Sequence, residues 1–242
     1  MAIEFRSIAT SSYQFGHNDP VVNAPAGLTD GDLIIAIVQI GTWNDGGSAT
    51  PGWTRLVSLE SVGYDSSLYV QYKIAASEPS SWTFTDLFSG AGEMHIAAMA
   101  FSGVDQTTPL DVAAVLNALG SVTSGGKDTS PITPVSNNCM VLSIFQGDPE
   151  TGISGTVDSS PACTERLDFT LNANGWIYVQ DHLQTTAAEE AHTVTPNQTL
   201  YLSSILLALR PAAASGGADT AKKRMSATHL LMPGFPMAIL PD

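Results

Sequence analysis

Imidazole next to carboxylate is the most reactive combination this chain offers. His192 stands with Glu189 and Glu190, and neighbouring carboxylates can tune an imidazole for acid–base work. The stretch is rich in Thr and Ala and matches the connection that carries Glu78 earlier in the chain, so it reads as a solvated loop. Asp181 lies beside His182, and Asp148 and Glu150 flank Pro149. Glycoside hydrolysis needs two carboxylates facing each other across roughly 5–10 Å. With 23 acidic residues in the chain, nothing marks out one pair. Asp30-Gly31-Asp32 and Asn44-Asp45 offer hard oxygens of the kind calcium takes, without the twelve-residue loop and terminal Glu of a dedicated site. The five histidines, at 17, 95, 182, 192 and 229, show no metal-ligand spacing. There is no Gly-x-Ser-x-Gly elbow, phosphate loop or supported Cys-His arrangement. The expectation is a non-enzyme with no catalytic residue, no cofactor and no metal.

The elements that would position these residues are clearer than the chemistry. Leu33-Ile34-Ile35-Ala36-Ile37-Val38-Gln39 is echoed by Met140-Val141-Leu142-Ser143-Ile144-Phe145-Gln146, an offset of 107. Tyr69-Val70-Gln71 recurs as Tyr178-Val179-Gln180 at offset 109, Ala98-Met99-Ala100-Phe101 as Leu206-Leu207-Ala208-Leu209 at 108, and Arg55-Leu56 as Arg166-Leu167 at 111. Four blocks in one order at nearly one offset argue for two related strand sets. Leu68, Val70, Tyr72 and Ile74 alternate with Tyr69, Gln71 and Lys73, and Trp176, Tyr178, Gln180 and His182 with Ile177, Val179 and Asp181, the period of a strand. Residues 33–38 and 201–209 are apolar on both faces and read as central strands. Turn chemistry separates the segments, as at Asn23 to Gly27, Asp30-Gly31, Pro51-Gly52 and Asn172 to Gly175. Only Leu110 to Leu119 has helical character, a turn or two between the halves. The expected fold is all-β: an antiparallel jelly-roll-like β-sandwich over residues 1–211, with an internal two-fold repeat (about 32–111 and 139–210) and an extended C-terminal tail.

Composition narrows the setting. The chain has 242 residues, 13% of them charged, and a net charge of −14. The first 211 residues hold six basic and twenty-one acidic side chains, a balance that repels phosphate backbones and argues against nucleic acid as a partner. The opening Met1-Ala2-Ile3-Glu4-Phe5-Arg6 lacks the basic and apolar regions of a signal peptide, and the longest apolar runs, about eight residues, are far short of a membrane span. No membrane partner is expected. The two cysteines, Cys139 and Cys163, make no disulfide framework and read as free thiols.

Several stretches together resemble a family of β-sandwich proteins found in phage virions and some bacterial surface proteins. They are Ala24-Pro25-Ala26-Gly27 with Gly31-Asp32-Leu33, Pro51-Gly52-Trp53-Thr54, Tyr72-Lys73-Ile74-Ala75 with Glu78-Pro79-Ser80-Ser81-Trp82-Thr83-Phe84, and Phe101-Ser102-Gly103-Val104-Asp105 with Thr108-Pro109-Leu110-Asp111. The likeness covers roughly residues 21–111. Its residues read as strand and turn determinants: Gly31 and Gly52 for tight turns, Trp53 as an apolar anchor. The resemblance implies a tailed-phage structural protein assembled in the host cytoplasm and carried on the capsid surface. The role implied is a capsid decoration (cement) or head-spike protein bound to the major capsid protein, as a homo-oligomer for which a trimer would be natural. The alternative is a tail-fibre or tail-tip module gripping host surface glycans, with Trp43, Trp53, Trp82 and Trp176 as first suspects.

Residues 212–220 read as a flexible linker. Beyond it comes a basic, then apolar arm with three prolines, similar to the short Pro-Asp-terminated ends of small phage morphogenesis proteins. Lys222, Lys223, Arg224, Leu230, Leu231, Met232, Phe235 and Met237 are its candidate partner-binding residues. Removing residues 212–242 is expected to leave the sandwich folded and to impair attachment or oligomerisation.

Overall fold

A strand that is apolar on both faces must be covered on both, and the run from Leu33 is a case in point: Leu33–Ile40 is buried along its whole length. The structure, a computed structural model, describes residues 2–13, 19–41, 49–60, 67–85, 94–122, 126–148, 153–170 and 175–213. The first half of the chain supplies β1 (Glu4–Tyr13), β2 (Val21–Asn23), β3 (Leu33–Ile40), β4 (Thr54–Glu60), β5 (Ser67–Ile74), β6 (Ser81–Thr83) and β7 (Met94–Ser102). The second supplies β8 (Val115–Val122), β9 (Lys127–Asp128), β10 (Cys139–Asp148), β11 (Gly155–Thr156), β12 (Thr164–Thr170), β13 (Trp176–Gln184), β14 (Thr193–Pro196) and β15 (Leu200–Leu209). The fold is all-β, with no helix among the described residues. Where helical character was expected, between Leu110 and Leu119, the chain bridges Leu110 to Leu209 and then runs as β8 on the edge of a sheet. Pairing with β15 overrides the local Ala/Leu preference there.

The large sheets of the two halves match strand for strand. One five-stranded sheet has the order β1-β7-β3-β5-β4, the other β8-β15-β10-β13-β12 reading from the corresponding edge. Leu33 opposes Ile74 on one side and Phe101 on the other; at the same place in the second sheet Met140 opposes Leu183 and Leu209. The edge strands carry the same bulge, after Arg55 in β4 and after Glu165 in β12. Register also corrects one sequence match. Arg55 opposes Gln71 and Glu165 opposes Gln180, so Arg55 aligns with Glu165, and the bulged Leu56 with the bulged Arg166.

Alternation now explains the apolar runs. Odd-numbered side chains of β3 (Leu33, Ile35, Ile37) and even-numbered ones of β10 (Met140, Leu142, Ile144) share one interior between the large sheets, with Val70, Met99, Val179, Ile205 and Leu207. Each such Ile or Leu contributes about 1.5–3 kcal/mol relative to exposure. The opposite faces are covered too. The β2-β6 pair brings Val22, Trp82 and Phe84 over Ile34, Ala36 and Val38, and β11-β14-β9 brings Val194 over Phe145, Trp176 and Tyr178. The turn glycines expected at 31 and 52 have φ of 90° and 83°, a region costly for other residues. The Asp105 to Asp111 segment stitches the halves together: Asp105 N–H donates to the Arg210 carbonyl (2.9 Å), and Arg210 Nε donates to Asp111 Oδ1 (3.1 Å).

Candidate functional site

Outward-facing residues of β10 and β13 form the floor of a buried polar cluster. Register sets His182 of β13 beside Val141, and Ser143 beside Gln180. Glu190 and His192, two residues apart in an extended segment, point down onto that floor. Their backbone is fixed from the far side, where Glu190 and Ile132 exchange both hydrogen bonds (2.9 and 3.0 Å) and Thr129 N–H donates to the His192 carbonyl (2.8 Å). Glu190 Oε1 lies 2.8 Å from His182 Nδ1 and 2.7 Å from His192 Nε2, and His192 Nδ1 lies 2.9 Å from Ser143 Oγ. His192 and Ser143 are fully buried, Glu190 is nearly so, and the His182 side chain is 28% exposed. Burial pushes the Glu190 carboxyl up, but hydrogen bonds from His192 and His182 outweigh it and hold it below the ordinary Glu value.

The solvated loop expected around His192 is therefore wrong. Only Glu189 is exposed; Glu190 and His192 form part of the packed cover of the second sheet. The hydroxyl–imidazole–carboxylate chain invites comparison with a nucleophilic triad, but a nucleophile needs an open place for the reacting atom. Ser143 Oγ has none, being sealed between β10 and the covering segment.

The first repeat carries a counterpart built from other residues. Lys73, at the register position of His182, sets its Nζ 2.8 Å from Glu78 Oε2, and Trp82 Nε1 donates to the same oxygen (2.7 Å). Burial raises the Glu78 carboxyl, yet the Lys73, Trp82 and Ala76 donors leave it below its ordinary value. Both repeats thus use one carboxylate to tie a large-sheet strand to its covering strand. Below it, Gln71 and Gln180 also act alike: Gln71 Oε1 accepts from Thr50 N–H (3.1 Å) and Gln180 Oε1 from Asp158 N–H (2.9 Å).

The other expected residues scatter. Asp32 is engaged by Arg6 (2.6 Å) and by Thr29, and Asp30 accepts from Ser77 N–H (2.7 Å), so both already have protein partners. Asp181 faces away from His182's partners and holds Arg166 through two hydrogen bonds (2.7 and 3.0 Å); burial still leaves its carboxyl raised. Arg166 in turn lies over the Phe5 ring of the opposite sheet (4.4 Å). Trp53, Trp82 and Trp176 are core residues. Cys139 and Cys163 carry free thiols, both pushed up to about 12, chiefly by burial. His95 is buried, and neither ring nitrogen has a hydrogen-bond partner among the described residues. Trp43, Asn44, Asp45, Glu150, His17, the side chain of Asp148 and the arm residues Lys222, Lys223, Arg224, Leu230, Leu231, Met232, Phe235 and Met237 lie outside what the structure describes. Sequence reasoning missed Ser143 and the meeting of His182 with His192; the 109-residue offset that sets Lys73 against His182 was the available signal. Comparison of the chain with protein families, with curated proteins and with solved structures finds no match.

Proposed function

We propose that this chain is a non-enzymatic structural protein of a tailed-phage virion, a capsid decoration (cement) or head-spike protein that binds the outer capsid surface and stabilises it. The observation carrying this reading is the doubled scaffold. Two equivalent five-stranded sheets stack on one interior, and each has its outer face capped. Such a block, covered on both faces of each large sheet, suits repeated attachment to a symmetric shell, where many small contacts add through avidity. The sequence resemblance of residues 21–111 points the same way. In the first repeat the chain passes from large to small sheet and back, from β1 through β2 to β3 and from β5 through β6 to β7, which supports the jelly-roll-like reading of the sandwich. The proposed partners are the major capsid protein and further copies of the chain, as a trimer.

The glycan-gripping alternative loses three of its four tryptophans to the core, which leaves only Trp43 of that set. Immunogold electron microscopy of intact particles, with antibody raised against the sandwich, separates the two. Label over the head supports the decoration reading. Label confined to the tail tip favours glycan recognition, and accessible particles without label overturn both.

A further inference from the structure

We propose that His182, Glu190 and His192 form a binding site for one divalent transition-metal ion of the zinc class, open on one side to solvent. The ligand atoms, His182 Nδ1, Glu190 Oε1 and His192 Nε2, all lie within 4.8 Å of one another. The two nitrogens stand 2.8 and 2.7 Å from the same carboxylate oxygen. Atoms each about 2.0–2.1 Å from one ion sit roughly 3 Å apart, so only a small adjustment brings these to coordinating positions. Two imidazoles and a carboxylate are a donor set that suits zinc and its neighbours.

The surroundings also suit a bound ion. Ser143 Oγ lies 3.5 Å from the Gln180 carbonyl, an acceptor only. With Ser143 Oγ 2.9 Å from its Nδ1, the His192 ring is held with Nε2 facing Glu190 Oε1. Glu190 accepts from both imidazoles as they stand, and a metal ion would replace both protons and hold the three groups together. Holding the far nitrogen of a ligating histidine is also how proteins orient such rings. His182 and Glu190 border a surface depression of about 510 Å³, lined also by Ser160, Pro161 and Gln184, through which an ion can enter and water can complete its shell.

The first repeat is an internal control. There the carboxylate of Glu78 meets Lys73 and Trp82, donors that cannot ligate a metal, and Ala36 stands at the register position of Ser143. The second repeat has metal-capable groups at both contacts and a hydroxyl set against the far nitrogen of His192.

The test uses the full chain, stripped with chelator and titrated with zinc by calorimetry, with cobalt as a spectroscopic probe. One ion per chain is expected, with Kd about 1 µM or tighter, together with cobalt bands in the visible. His182→Lys places the first repeat's own residue at the site, so the fold accommodates it; binding should weaken about 100-fold or more. Ser143→Ala, which copies Ala36, keeps all three ligands and should weaken binding about tenfold by freeing the His192 ring. No saturable binding by the native chain overturns the proposal. So does a smaller loss in a His182→Lys chain whose circular dichroism matches the native chain, because the ion would then sit elsewhere.

Discussion

Lys73 and His182 occupy one position in the two repeats, and each reaches a carboxylate at 2.8 Å, Glu78 in the first and Glu190 in the second. A strand of the large sheet is thereby tied to the segment that covers it, at the same place in both halves. The tie is a charge pair in one repeat and an imidazole–carboxylate cluster in the other. The scaffold is thus duplicated while its polar fastening has diverged.

The first fastening should be measurable in stability. Glu78 is nearly buried and serves both Lys73 and the Trp82 indole. Glu78→Ala strands a half-buried ammonium and a buried N–H, and should cost about 2–3 kcal/mol. Glu78→Gln keeps an acceptor for Trp82 and should cost less. Because the native carboxyl sits below its ordinary value, its contribution is present at neutral pH and is lost as pH falls through the folded value. Urea unfolding at pH 7 of both variants checks the order; equal stability of Glu78→Ala and the native chain would show the tie to be inert.

Much of the scaffold was legible because burial on both faces writes itself as continuous apolar runs, as in Leu33 to Val38, and a constant offset keeps Tyr69 and Tyr178 in step. The polar cluster was not. The carboxylate follows Lys73 by five residues in one repeat and His182 by eight in the other, so the offset that aligns the strands fails in the connection that carries the chemistry. Short-range composition misled as well. A Thr/Ala-rich stretch looks solvated, yet cross-strand bonds with Ile132 and Thr129 pull it down onto the sheet. The β8 edge was misread because its pairing partner, β15, lies some eighty residues further along the chain.

One shared interior predicts one unfolding event. Ile37 and Ile144 are equivalent residues from opposite sheets, both fully buried in the same cluster. Substitution of either by Ala should cost about 2–5 kcal/mol, with removed hydrocarbon and cavity both counting. Each variant should still melt in a single transition, because neither sheet can keep its inner face covered without the other. Calorimetry checks this. Two separated transitions in either variant would mean that the repeats are stable alone.

His95 predicts acid sensitivity. Burial alone pushes its imidazole down to about 4; its ring packs T-shaped with that of Phe169, centroids 5.2 Å apart, and has no hydrogen-bond partner among the described residues. The unfolded chain takes up this proton near its ordinary value of 6.5, whereas the folded one does not until about 4. Stability is therefore full above pH 6.5 and falls between 6.5 and 4, by about 3 kcal/mol in all. His95→Leu, of similar volume and without unsatisfied nitrogens, should be more stable at pH 7 and lose that part of the decline. Denaturant midpoints at pH 4.5 and 7 for both chains measure the difference; parallel pH profiles would exclude His95 as the cause.

The boundary of the sandwich lies slightly beyond the composition break. Pro211 bridges to Val104, and Ala212 N–H donates to the Gly103 carbonyl at 2.8 Å, so the chain is still stitched to the end of β7 at that point. A truncation that removes residues 214–242 spares both contacts, whereas one starting at residue 211 removes both and leaves Gly103 and Val104 without them. The shorter deletion should leave the melting temperature within about 2 °C of the native chain, and the longer one should lower it by several degrees, on the scale of about 1 kcal/mol for one or two lost backbone bonds. If the arm carries attachment, the chain ending at residue 213 should remain folded and yet bind capsids or self-associate less than the full chain. Cosedimentation with capsids, alongside analytical ultracentrifugation of the free protein, reads both. Equal capsid binding and equal mass of the two chains would move attachment from the arm to the sandwich.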